Sequence, residues 1–169
     1  MINGFTNLTT AGWIHTVLSA TGILVGAEQV IRTRRDRLHR YLGYVYVIGM
    51  LVADVAILTV YRFNGHFNVF HVGAIVNATG IVLAMRPMLA TPRPMHWRIK
   101  HYMWICWSYV GLLAAALTEF IIRTQPMGSK GATIVATAVA STLVAVTGAV
   151  LIQRFKPKRA VSPPSRSLT

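Results

Sequence analysis

Five long apolar runs, parted by short basic stretches, make up most of this chain: roughly Ala11–Ile31, Leu42–Tyr61, Phe67–Met85, Tyr102–Ile122 and Gly131–Gln153. Each holds about 19–23 residues, enough to cross a hydrocarbon core of about 30 Å at a rise of about 1.5 Å per residue. Backbone polar groups surrounded by lipid have to be satisfied within their own segment, so all five runs are predicted to be α-helices. The third has the least regular outline, because Asn64, Gly65 and His66 blur its start and Asn77 lies inside it. The first run is too long for a signal peptide, and its flanks are reversed: uncharged before, strongly basic after.

Charge turns these runs into a topology. Of the 17 Lys and Arg residues, 14 fall in the first and third loops and the C-terminal tail, and three on the alternate side. The positive-inside rule places the richer side in the cytoplasm, with the N-terminus outside. The predicted fold is therefore an all-α integral membrane protein. Residues 1–10 form an outside segment, 11–123 a four-helix transmembrane bundle, 131–153 a fifth transmembrane helix, and 154–169 a basic, disordered cytoplasmic tail. Attraction to anionic lipid headgroups accounts for the tail's charge.

Composition agrees with a lipid environment. Hydrophobic residues make up 54% and charged residues 12%, against about 25% charged in soluble domains. A net charge of +13 would suggest nucleic acid in a soluble protein. Here the basic residues fall between apolar runs rather than on one face, which excludes that class. Cys106 is the only cysteine, so no internal disulfide forms. No nucleophile motif or phosphate loop supports a hydrolase or a nucleotide-driven transporter.

Ionisable residues at membrane depth mark candidate sites, because polar groups are costly there. His15, Asp54, His71 and Glu119 are expected in the outer half. Glu28, His39 (just before helix 2) and His101 (leading into helix 4) are expected on the inner side. Helical spacing groups them: His15, Ser19, Gly22 and Gly26 share a stripe on helix 1, in which Gly22 and Gly26 permit close helix approach. His39, Gly43, Tyr46, Met50 and Asp54 lie together on helix 2, and His101, Trp104, Ser108, Gly111, Ala115 and Glu119 on helix 4.

One principal histidine falls on each of the first four helices, alternating outer, inner, outer, inner: His15, His39, His71 and His101. In an up-down bundle, helices 1 and 3 are diagonal, as are 2 and 4. Two diagonal histidine pairs are the arrangement that two stacked b-type haems need. This leads to the expectation of a transmembrane redox protein, with a partner redox protein unidentified. Two alternatives stand beside it. His15, Asp54, His71 and Glu119 could form an outer-side zinc or iron site, or the chain could be a non-catalytic membrane subunit or assembly factor whose histidines only pack.

The runs HRYLGYVYVIGM (His39–Met50) and HYMWICWSYVGLLAAALTEFIIR (His101–Arg123), with Phe70–His71, resemble the bacterial predicted membrane proteins grouped as domain of unknown function 2306. The resemblance covers about Trp13 to Arg123, with the last run beyond it, and implies a four-helix unit in the bacterial plasma membrane. The one-per-helix histidines and the basic first loop are also similar to the di-haem cytochromes of the b561 type. That similarity implies His15 and His71 as ligands of an outer haem, and His39 and His101 as ligands of an inner one.

Overall fold

The computed structural model describes residues 8–32, 35–61, 65–124 and 130–157, and among these every regular element is an α-helix. The helices are α1 (Thr10–Ile31), α2 (Arg37–Leu58), α3 (Val69–Leu89), α4 (Trp97–Thr124) and α5 (Lys130–Arg154). All five are long and apolar enough to cross a membrane. Most of the N-terminal segment and the end of the basic tail lie outside the described residues.

Side chains open three of the helices. Thr9 accepts the amide of Gly12 at 3.1 Å, Asp36 accepts that of His39 at 3.0 Å, and Asn68 forms a capping box with His71. Each satisfies an amide that has no partner within its helix. The Asp36 cap starts α2 five residues before the apolar run begins, so His39 lies inside the helix rather than ahead of it. His101 likewise lies in the second turn of α4, which starts at Trp97. Helix α3 starts two residues later than expected and continues through Pro87 to Leu89.

The His39 amide, aided by the nearby Arg32 guanidinium, holds the Asp36 carboxyl below its ordinary range. A depressed folded value means that this cap stabilises α2 above the unfolded carboxyl's titration, and the contribution is lost as pH falls through the lower folded value. Asp36→Asn keeps a good cap and removes the charge. It should retain the helix start while erasing its acid sensitivity, readable from the NMR shifts of His39 and Arg40.

Helix α1 packs on α2, α2 on α3, α3 on α4, and α4 back on α1. This closed ring makes α1 and α3 diagonal, as it does α2 and α4. Neighbours run antiparallel. Gln29 near the end of α1 donates to the His39 carbonyl near the start of α2 at 2.8 Å, and Tyr109 of α4 donates to the Ile23 carbonyl at 3.1 Å. Helix α5 lies outside the ring against α4, joined by Tyr102 to the Ile152 carbonyl at 3.1 Å and by Thr118 to Ser141 at 2.9 Å.

Tyr46, Val47, Met50, Ile81 and Leu112 form the apolar core, with contributions from α2, α3 and α4. Helix α1 joins it through its glycines: a Cβ at Gly22 would lie 2.6 Å from Met50 Sδ, and one at Gly26 would enter the Tyr109 ring. The small-residue stripe thus sets how closely α1 approaches its neighbours. Gly26→Ala should displace that ring, break its bond to Ile23 and cost about 1–2 kcal/mol by overpacking. Unfolding midpoints in detergent would measure this, and Gly43→Ala, with nothing within 4 Å of the added Cβ, serves as the control.

Candidate functional site

A polar chain crosses the apolar core. It leaves α2 at Tyr46, whose hydroxyl lies 3.0 Å from Ser108 Oγ on α4. Ser108 donates to Asn77 Oδ1 on α3 at 2.7 Å, and Asn77 Nδ2 donates to Asp54 Oδ2 at 2.8 Å, back on α2. Tyr46, Ser108 and Asp54 are all buried. The chain brackets about 12 Å of α2 by helix rise and ties three helices together.

Hydrogen count gives the chain a direction. Ser108 has one hydroxyl hydrogen and gives it to Asn77, so Tyr46 is the donor to Ser108. Every donor therefore points toward Asp54, which closes the chain as acceptor. An amide such as Asn77 does not readily pass a proton along, so the chain polarises the carboxyl and does not conduct to it. Asp54 Oδ1 has no hydrogen-bond partner among the described residues. A proton held there would leave the Oδ2 bond intact, so the same geometry accommodates the acid and the carboxylate.

The four histidines are placed differently from one another. His15 Nδ1 lies 3.0 Å from the Ala53 carbonyl, beside Asp54, and His101 Nδ1 lies 3.1 Å from the Ala84 carbonyl. Donation from Nδ1 leaves the lone pair on Nε2 in both rings. His71 is the reverse: its Nδ1 accepts the Asn68 amide at 3.2 Å, so the neutral ring carries its proton on Nε2. Among the described residues that buried Nε2–H has no partner, and it lies between the rings of Tyr61 at 4.9 Å and Phe67 at 5.0 Å. His71 so placed offers no free ring nitrogen to a metal. His39 and His101 lie in the opening turns of the diagonal helices α2 and α4, at the other end of the bundle. His39 Nδ1 is buried without a partner among the described residues.

The outer-side set of His15, Asp54, His71 and Glu119 is not drawn together. Glu119 pairs with Arg123, one turn along α4, with Arg123 Nε 2.9 Å from its carboxylate. Among the described residues no three His, Cys, Asp or Glu side chains form a group that could hold a metal ion. The helix 4 stripe is split as well: Ser108 faces the core, whereas Trp104, Gly111 and Ala115 are exposed. Ser108, Tyr109 and Leu112 supply the inward contacts instead, because α4 serves α1, α3 and α5 from different sides. Asn77, which as a polar residue inside an apolar run was the available signal, proves to be the link between two helices.

These features define a multi-pass helical membrane protein with a hydrogen-bonded carboxyl inside its bundle. The chain belongs to the predicted membrane proteins of domain of unknown function 2306 (DUF2306), whose family model matches residues 12–155. The match runs through α5, so the fifth helix lies within the family unit rather than beyond it. No curated protein and no solved structure matches this chain.

Proposed function

We propose that this protein is a proton-linked membrane carrier in which Asp54 takes up and releases the coupled proton. The carrying observation is the directed chain Tyr46–Ser108–Asn77–Asp54, which ends on a carboxyl with one oxygen uncommitted among the described residues. Ionisable residues inside membrane spans mark proton and substrate pathways, and the other three acids of the chain, Glu28, Asp36 and Glu119, each pair with an arginine. Asp54 has Asn77 instead, a neutral partner whose bond survives either protonation state. By the distribution of Lys and Arg, Asp54 sits in the outer half of a plasma-membrane bundle whose N-terminus is outside. Proteoliposomes bearing the wild-type chain should carry a proton flux when a pH gradient is imposed. No flux above that of empty liposomes, with any solute supplied, would refute the reading.

A second reading rests on the placement of His39 and His101 in the opening turns of the diagonal helices α2 and α4, at the same end of the bundle. A b-type haem held between these two imidazoles would supply one-electron chemistry, with the Ala84 carbonyl orienting His101. Protein purified from haem-replete cells would then show a Soret band that His101→Ala removes. Absence of the band from the wild type would eliminate this reading.

A further inference from the structure

Between α2 and α3 the bundle carries a hollow of about 340 Å³ that opens sideways, between helices, rather than at either end. Its walls include Leu58, Ala74, Ala78 and Leu83, and among the described residues its polar ones are Asp54 and Thr79. Thr79 donates its hydroxyl to the Ile75 carbonyl at 2.7 Å. Asp54 is 5% exposed, and its Oδ1 has no partner among the described residues. The rim residues Val55, Ile75 and Val82 are strongly exposed, so a molecule dissolved in lipid reaches the hollow without crossing a headgroup layer. Ligand sites run from about 300 to 1,000 Å³, which puts this one at the size of a single ring with a short chain.

We propose that this lateral groove binds a small lipophilic ammonium ion, its N–H directed to Asp54 Oδ1 and its apolar body against α2 and α3. The proposal rests on the proton-carrier reading and names its substrate class. An ionised carboxyl in apolar surroundings needs either a proton or a cation, and among the described residues no wall residue of the groove is basic. Proton and ammonium ion therefore compete for one oxygen, and binding one releases the other. The titratable groups around Asp54 are His15 of α1, bonded to the adjacent Ala53 carbonyl, Tyr46 of α2, joined to it through Ser108 and Asn77, and His71 of α3, about two turns before Asn77. From α4 the described contact is the neutral Ser108 hydroxyl, acting through Asn77. None of these occupies Oδ1, so the exchange stays at the groove.

The test uses 2-phenylethylammonium, with neutral 2-phenylethanol as its isosteric control, on the full chain in lipid nanodiscs by calorimetry against empty nanodiscs. Repeating the titration in buffers of different ionisation heat counts the protons released. The ammonium ion should bind saturably, weaken as pH falls, and release up to one proton per molecule bound. Asp54→Asn should lower its affinity at least about tenfold, equivalent to about 1.4 kcal/mol. Ala78→Phe, which fills the groove, should abolish binding while leaving the Asp54 carboxyl to titrate in the infrared. Equal binding by the alcohol, or unchanged binding in Asp54→Asn, overturns the proposal. If the carboxyl titrates but no ammonium ion binds, the groove assignment fails and the proton reading stands. If the carboxyl does not titrate, both fail.

Discussion

Asp54→Asn is expected to abolish proton flux in proteoliposomes while leaving the bundle folded. The substitution is nearly isosteric. Its side-chain oxygen can still accept from Asn77 Nδ2, so the hydrogen bond of 2.8 Å that joins α2 to α3 persists. What disappears is the ability to hold or lose a proton at the second oxygen. Stability in detergent should change by no more than about 1 kcal/mol, the scale of one neutral hydrogen bond. Flux should fall to that of empty liposomes. Flux retained at half the wild-type rate or more would remove Asp54 from the mechanism. A collapse of the fold would mean that its charge, not its exchangeable proton, is the structural requirement. Asp54→Glu supplies the complementary result: the acid returns at a slightly different reach, and some flux should return with it.

Asn77→Leu should cause a large loss of stability although it removes no apolar contact. Leucine fits the volume and suits the bilayer, so its cost arises only from the partners it abandons. Ser108 loses its acceptor and Asp54 Oδ2 loses its donor. A buried polar group left unpaired costs about 1–3 kcal/mol. Paired hydrogen bonds between membrane helices average only about 0.6 kcal/mol, so a loss above about 1 kcal/mol signals stranded groups rather than a missing bond. The double change Asn77→Leu with Ser108→Ala should recover part of the loss, because it removes one stranded hydroxyl. Denaturant midpoints of the single and double variants measure the coupling. Additive losses would indicate that Ser108 and Asn77 do not act as one chain.

The five spans were legible because lipid forces a single solution: an apolar run of sufficient length has to be a helix. Their boundaries were less so. The start of α2 is set by Asp36 and the start of α3 by Asn68, and a count of apolar residues passes over such caps. The inward face of α2 was legible at Tyr46, Met50 and Asp54, since helix periodicity puts them together and all three are buried. On α4 the same periodicity misled, because that helix contacts three others and has no single inward face. The histidine pattern revealed which helix carries which ring and nothing of tautomer. The tautomer depends on local partners, Asn68 for His71 and Ala84 for His101. Asn77 stood out as a polar residue inside a span, but its role needs Ser108 and Asp54 from two other helices. One sequence does not pair them.

The central claim is that Asp54 exchanges a proton inside the bundle, and infrared difference spectroscopy of the reconstituted chain tests it most directly. A carbonyl stretch from one protonated carboxylic acid should rise and fall reversibly with pH in the wild type and be missing from Asp54→Asn. Asn77→Leu should shift its frequency, because the carboxyl loses its hydrogen-bond donor. A spectrum with no titrating carboxylic acid band, or one that survives unchanged in Asp54→Asn, would contradict the account.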